Sequence, residues 1–234
     1  MGQLSPRRVL AGLILGLAPV AVALSQPSGG TSSQPSKPGL DQQDGEQASD
    51  WEQVKALAES DLLAAGGLAV ELLDAGQGAP TQAVQVQAFE LGQAILAAHH
   101  REAAAELQVA LQRRVRAEWS VINAALTLGD LGRIEEADRL LGEQLELEPR
   151  DAALWNHRGL LRLGNGETRL ARRHLARAVR YGSQNAGLSM ARLLLLAGDL
   201  QAARAAFRPG LAGPEPHAWA LRGWAATQLV DAPH

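Results

Sequence analysis

The chain has 234 residues, a mass of 24.7 kDa and a formal net charge of −3; 43 residues are Ala and 39 Leu, against 12 Val, 4 Ile and 5 Thr. Straight-chain and small apolar residues favour helix whereas β-branched ones favour strand, so the composition argues against a β-sandwich or barrel. The absence of cysteine excludes disulfides, thiolate metal sites, a cysteine nucleophile and a lipid-modified N-terminal Cys, and near-neutrality gives no general reason to expect nucleic acid as a partner.

At the N-terminus, Arg7 and Arg8 precede an uncharged apolar run of 16 residues, 9–24. A basic stretch, an apolar stretch and then small residues form the anatomy of a secretory signal, and Ala21-Val22-Ala23 fits the small-x-small cleavage rule. The run is shorter than the ~20 residues of a membrane helix and is interrupted by Pro19. Residues 1–24 are therefore expected to be a signal peptide or, if uncleaved, a membrane anchor. Either puts the remainder outside the cytoplasm, in the periplasm or tethered to the inner membrane. Residues 25–49 hold three Pro, four Gly and six Ser with Leu40 as the single large apolar residue. Such a segment cannot bury enough surface to offset its ordering entropy and is expected to be a disordered linker.

From residue 50 to 234 a repeat emerges. Ala69, Ala103, Ala137 and Ala171 lie 34 residues apart, Gly132 precedes Gly166 by the same interval, and Glu102-Ala103 aligns with Glu136-Ala137. Ala191, Gly198-Asp199, Ala203 and Phe207 take the corresponding places one unit later, and Trp219 to Gly223 echoes Trp155 to Gly159. Helices are expected at about 50–64, 67–75, 81–97, 100–116, 117–129, 133–146, 151–163, 167–181, 187–197, 199–208 and 217–229. Gly66-Gly67, Gly132, Gly166 and Gly198 mark the turns between them.

The units Asp151 to Tyr181 (Trp155, Gly159, Gly166-Glu167, Ala171, Ala178) and Glu118 to Pro149 (Ala125, Gly132, Ala137, Pro149) resemble the tetratricopeptide repeat (TPR) family. They depart from its pattern where Leu128 and Arg162 replace an aromatic late in the first helix. The resemblance implies an all-α, right-handed superhelical solenoid of about four to five antiparallel helix pairs plus a capping helix. It also implies a protein–protein scaffold that binds peptide or helix segments on a concave face built by the first helix of each pair. Trp119, Ile122, Asn123 and Leu126 match that face in one unit, and Asn156, His157 and Leu160 in the next. Leu188, Arg192 and Trp224 follow. The asparagines and Arg192 would bond a peptide backbone or carboxylate, and Trp119 and Trp224 would serve as aromatic anchors or as core and capping residues.

No catalytic, cofactor or metal motif occurs: HExxH, G-x-S-x-G, a Walker A loop and a dinucleotide fingerprint are all missing, and His99-His100 sits at a turn. His157 and His174 are expected to be packed or surface residues. The acidic groups Glu135, Glu136 and Asp138 are expected on a solvated helix face, paired locally with Arg139. The expected protein is not an enzyme. Charge is unevenly spread: residues 40–76 hold nine acids and one base, and residues 151–234 five acids and eleven Arg. The Arg-rich half offers an alternative function, binding an anionic lipid or polymer.

Overall fold

The computed structural model describes residues 40–76, 79–212 and 218–231, so the expected signal or anchor and most of the expected linker lie outside the described residues. Among the described residues the regular structure is eleven α-helices and one 3-10 turn, with no strand. In chain order they are α1 (Leu40–Ala58), α2 (Leu62–Ala75), α3 (Gln82–Ala97), α4 (Arg101–Val115), α5 (Glu118–Asp130) and α6 (Ile134–Leu147). Then come α7 (Ala152–Gly164), α8 (Thr168–Arg180), α9 (Gln184–Leu196), α10 (Leu200–Phe207), the 3-10 turn (Arg208–Leu211) and α11 (Ala218–Asp231). The contacts divide within α6, after Ala137, into two compact units.

In the N-terminal unit α1 packs on α2, α3 on α4 and α4 on α5, and α2 also packs on α4. Trp51, Val54, Ala69, Leu73, Ile95, Leu107 and Leu111 form one buried cluster. Each of the large aliphatic members contributes about 1.5–3 kcal/mol by leaving water. The first pair differs from expectation at two places. Helix α1 starts at Leu40, inside the expected linker, because propagation from the packed Trp51 and Val54 end costs far less than nucleation and residues 41–50 contain no proline. Gly66 and Gly67 lie within α2, and Asp61 starts that helix by accepting from the Leu63 and Ala64 amides at 3.0 Å each. Gly66 is small because a Cβ there would stand 2.7 Å from Ile95 Cδ1: it marks a close crossing, not a turn.

In the C-terminal unit α7 packs on α8, α8 on α9 and α9 on α10, and α11 covers α9 and α10. Ala171, Leu175 and Ala178 on α8 are fully buried, as are Ala191, Ala203 and Ala220. Ala69, Ala137, Ala171 and Ala203 are buried as their period requires, whereas Ala103 is only partly buried and Ala104 and Ala105 fill the crossing. The turns after α5, α7 and α9 share one geometry. Gly132, Gly166 and Gly198 sit at φ near +80°, and the next amide reaches back to Leu128 O, Arg162 O and Leu194 O at 2.9–3.0 Å. His99 takes that left-handed place after α3, with the His100 amide bonded to Ile95 O at 3.1 Å.

Candidate functional site

The expected site residues lie on the first helices, and the two units are taken in turn. On α5, Ile122 is a core residue at 2% exposure, while Leu126 is half-buried. Trp119 is also half-buried and meets Phe89 edge-on, with ring centroids 5.9 Å apart. Asn123 is buried, and its amide Nδ2 donates to Trp119 O at 2.7 Å one turn back. Its backbone carbonyl accepts from Thr127 Oγ1 at 3.0 Å. Of the expected site residues on α5, Trp119 and Leu126 are thus the two with surface left to offer.

In the C-terminal unit α7 and α9 pack together, and Asn156 on α7 accepts from Ser189 Oγ on α9 at 2.9 Å. Both side chains are buried, so the bond fixes how the two helices present their flanks. Beside it lie His157, Leu160, Leu188 and Arg192, all half-buried. Burial pushes the His157 imidazole down to about 4, against a smaller opposing pull from Asp151, and its Nδ1 makes no hydrogen bond. The ring is therefore neutral at neutral pH. Burial also lowers the Arg192 pKa, the mark of a partly desolvated cation. On α11, Trp224 is 40% exposed beside Leu221 at 47%. The resulting α7–α9 strip has polar and apolar groups half open to solvent.

A second cluster escaped the sequence. Asp138 is not on a solvated face: it is 9% exposed and takes two guanidinium forks at once. Arg158 Nε and Nη2 donate to Oδ1 and Oδ2 at 2.8 Å each, and Arg162 Nε and Nη2 donate at 3.1 and 2.8 Å. Burial alone would raise this carboxyl, but the two arginines outweigh it and hold it at about 2. Arg162 Nη1 also donates to Glu167 at 2.9 Å, so this guanidinium bridges two acids within its own network. Arg139 remains exposed, and Glu136 pairs with Arg133 at 2.8 Å.

Alongside, Trp155 donates its indole N–H to Pro149 O at 2.9 Å and stacks on His174 at 5.4 Å, with the Arg177 guanidinium 4.5 Å from the ring centre. Burial first, then the positive fields of Arg158 and Arg177, push His174 down to about 4 against the opposing Asp138. These groups hold α6, α7 and α8 together. The signal for them was non-local: an acid 20 and 24 residues before two arginines that are one helical turn apart.

Among the described residues no group of three His, Asp or Glu side chains could hold a metal ion. The N-terminal unit has a cavity of about 220 Å³ lined by Trp51, Leu72, Leu73, Pro80 and Val84, with Asp50 and Arg114 also on its wall. That is below the ~300 Å³ at which small-molecule sites begin.

No protein-family model and no curated protein matches the chain. Solved structures do. A thermophilic TPR protein of Thermus thermophilus is similar with a TM-score of 0.54 at 22% identity, over 79% of this chain and 99% of that one. A tetratricopeptide repeat protein of Parabacteroides merdae is similar at 0.53 and 12% identity, over 81% and 80%. The likeness shows the fold: an all-α, TPR-like helical solenoid.

Proposed function

We propose that the chain is a non-catalytic adaptor that binds an extended or helical segment of another protein, and that it works exported to, or anchored in, the cell envelope. The observation that carries the binding role is the α7–α9 strip. Its half-buried Leu160 and Leu188 offer apolar contacts, and partly desolvated Arg192 suits a carboxylate. The Asn156–Ser189 bond holds the two helices in register, so little order is lost on binding. The envelope location rests on the composition of residues 1–24.

The test is site-specific photo-crosslinking in the full chain, expressed in cells from its own N-terminus. A crosslinker at Leu160 should give discrete protein adducts that Arg192→Glu removes, while the same group at exposed Arg172 gives none of those adducts. Adducts of equal yield at both positions, or adducts indifferent to Arg192→Glu, would sink the strip as the site. A reporter fused after residue 30 tests location, and activity confined to the cytoplasm would end the envelope reading.

A further inference from the structure

The surface that the adaptor reading leaves unused is the outward face of α8. Its inward face is settled by the fully buried Ala171, Leu175 and Ala178. At 100° per residue, the opposite direction is taken by Arg169, Arg173, Ala176 and Arg180, a row at i, i+4, i+7 and i+11. All four are exposed, and Arg172 flanks the row. The row runs about 17 Å along one helix. None of Arg169, Arg172, Arg173 and Arg180 forms an ion pair with another described residue, and α8 contains no acid.

Nor is the charge balanced nearby in sequence. Residues 151–212 contain ten Arg against three acids, Asp151, Glu167 and Asp199. Each acid is already engaged. Asp151 caps α7 through the Leu154 amide at 2.8 Å, and Asp199 caps α10 through the Ala202 amide at 3.1 Å. Glu167 takes Arg162 at 2.9 Å and Asn165 at 2.6 Å. A helix with one face in the core and an unbalanced row of cations on the other concentrates positive potential along a ridge.

We propose that this ridge docks on an anionic lipid surface. A ridge on a single helix fits a plane of negative charge better than it fits a peptide, which needs a groove for its side chains. Val179 and Tyr181, 47% and 38% exposed, flank the C-terminal end of the row on its two sides. Where residues 9–24 are kept as an anchor they bring the chain to a membrane, and the ridge would then lay the C-terminal unit against it. This docking is separate from the α7–α9 strip and does not require it.

The cysteine-free sequence makes the test direct. Ala176→Cys in the middle of the row and Glu90→Cys on α3 each give one labelling site in the full chain. A fluorophore at each site is read by acrylamide quenching with the chain reconstituted in phosphatidylcholine vesicles, with or without 30% phosphatidylglycerol. The label at 176 should be shielded on phosphatidylglycerol vesicles in 50 mM salt and open on phosphatidylcholine or in 500 mM salt, and the label at 90 reads any salt-independent adsorption of the chain. Each Arg near such a surface is worth about 5-fold, so Arg169→Gln/Arg173→Gln/Arg180→Gln should lower the docked-to-open ratio by about 100-fold with an unchanged melting temperature. An open label on phosphatidylglycerol, equal shielding on neutral vesicles, or full shielding in the triple variant would each overturn the proposal. So would shielding by soluble polyglutamate that matches or exceeds that by phosphatidylglycerol, which would assign the ridge to an acidic polypeptide.

Discussion

Replacing glycine by alanine at different helix positions separates backbone propensity from helix crossing. In a helix interior the change alone stabilises by about 0.5–1 kcal/mol. At Gly67 and Gly187 a Cβ meets nothing within 4 Å, so that gain should appear undiminished. At Gly159 the Cβ would stand 2.7 Å from Leu175 Cγ and Cδ2 and 3.2 Å from the Leu175 backbone amide nitrogen. Leu175 is fully buried and its backbone belongs to α8, so neither side can yield without opening the α7–α8 crossing. Overpacking of that kind costs about 1–3 kcal/mol and outweighs the propensity gain. Gly66 is intermediate, because only the tip of Ile95 stands in the way. Thermal melts of the full chain should therefore rise by about 2–3 °C for Gly67→Ala and Gly187→Ala, change little for Gly66→Ala and fall by several degrees for Gly159→Ala. If Gly159→Ala rises with Gly187→Ala, the close α7–α8 crossing is wrong.

Asp138→Asn should cost about 3 kcal/mol in urea denaturation, because it removes the carboxylate that two largely buried guanidiniums share. The carboxyl's folded value of about 2 lies below its ordinary value of 3.8, so its contribution is complete above about pH 4 and fades as pH falls toward 2; the variant's melting temperature should lose that portion of its pH dependence. His157 has the opposite charge chemistry but the same slope. Its neutral form is held down to about pH 4 against an ordinary value of 6.5, so the stability is whole above 6.5, is lost as pH falls through that window, and amounts to about 3 kcal/mol. His157→Leu should flatten the melting curve between pH 6.5 and 4, and an unchanged slope would mean the ring is not buried. Gln108 is 1% exposed with neither amide atom bonded, so Gln108→Met, of similar length, should raise the urea midpoint by an amount worth about 1–2 kcal/mol.

Most of the fold was readable because its determinants are periodic. From α3 to α11 the helices end within three residues of the places marked by glycine spacing, apolar phase and capping residues. Gly132, Gly166 and Gly198 were recognisable as turns because each follows an apolar stretch and the next helix starts at once. Gly66-Gly67 looked the same on those grounds and is helical. What separates the cases is a tertiary contact, Ile95 against Gly66, while Asp61 five residues earlier had the better capping chemistry. The early start of α1 was hidden for a related reason. A polar stretch without proline can extend a helix that is nucleated elsewhere, and composition cannot see the nucleus.

The site was less legible, since what decides whether a side chain binds outward is how much of it is already spent inward. Asn123 and Asn156 have the right residue type on the right helices, yet each makes a bond within the chain, which leaves less for a partner than residue type suggests. Trp155 is tied through its indole to Pro149 and stacked on His174, whereas Trp224 stays 40% exposed; nothing local to either tryptophan distinguishes them. Asp138 read as one of a solvated acidic set because its partners come from the next repeat, beyond the reach of any i,i+4 rule. The α8 ridge is the reverse case. Once Ala171, Leu175 and Ala178 are known to face the core, helical geometry alone turns Arg169, Arg173 and Arg180 outward. Whether that row stays an uncompensated ridge depends on the acids around it, and no described acid forms an ion pair with Arg169, Arg173 or Arg180.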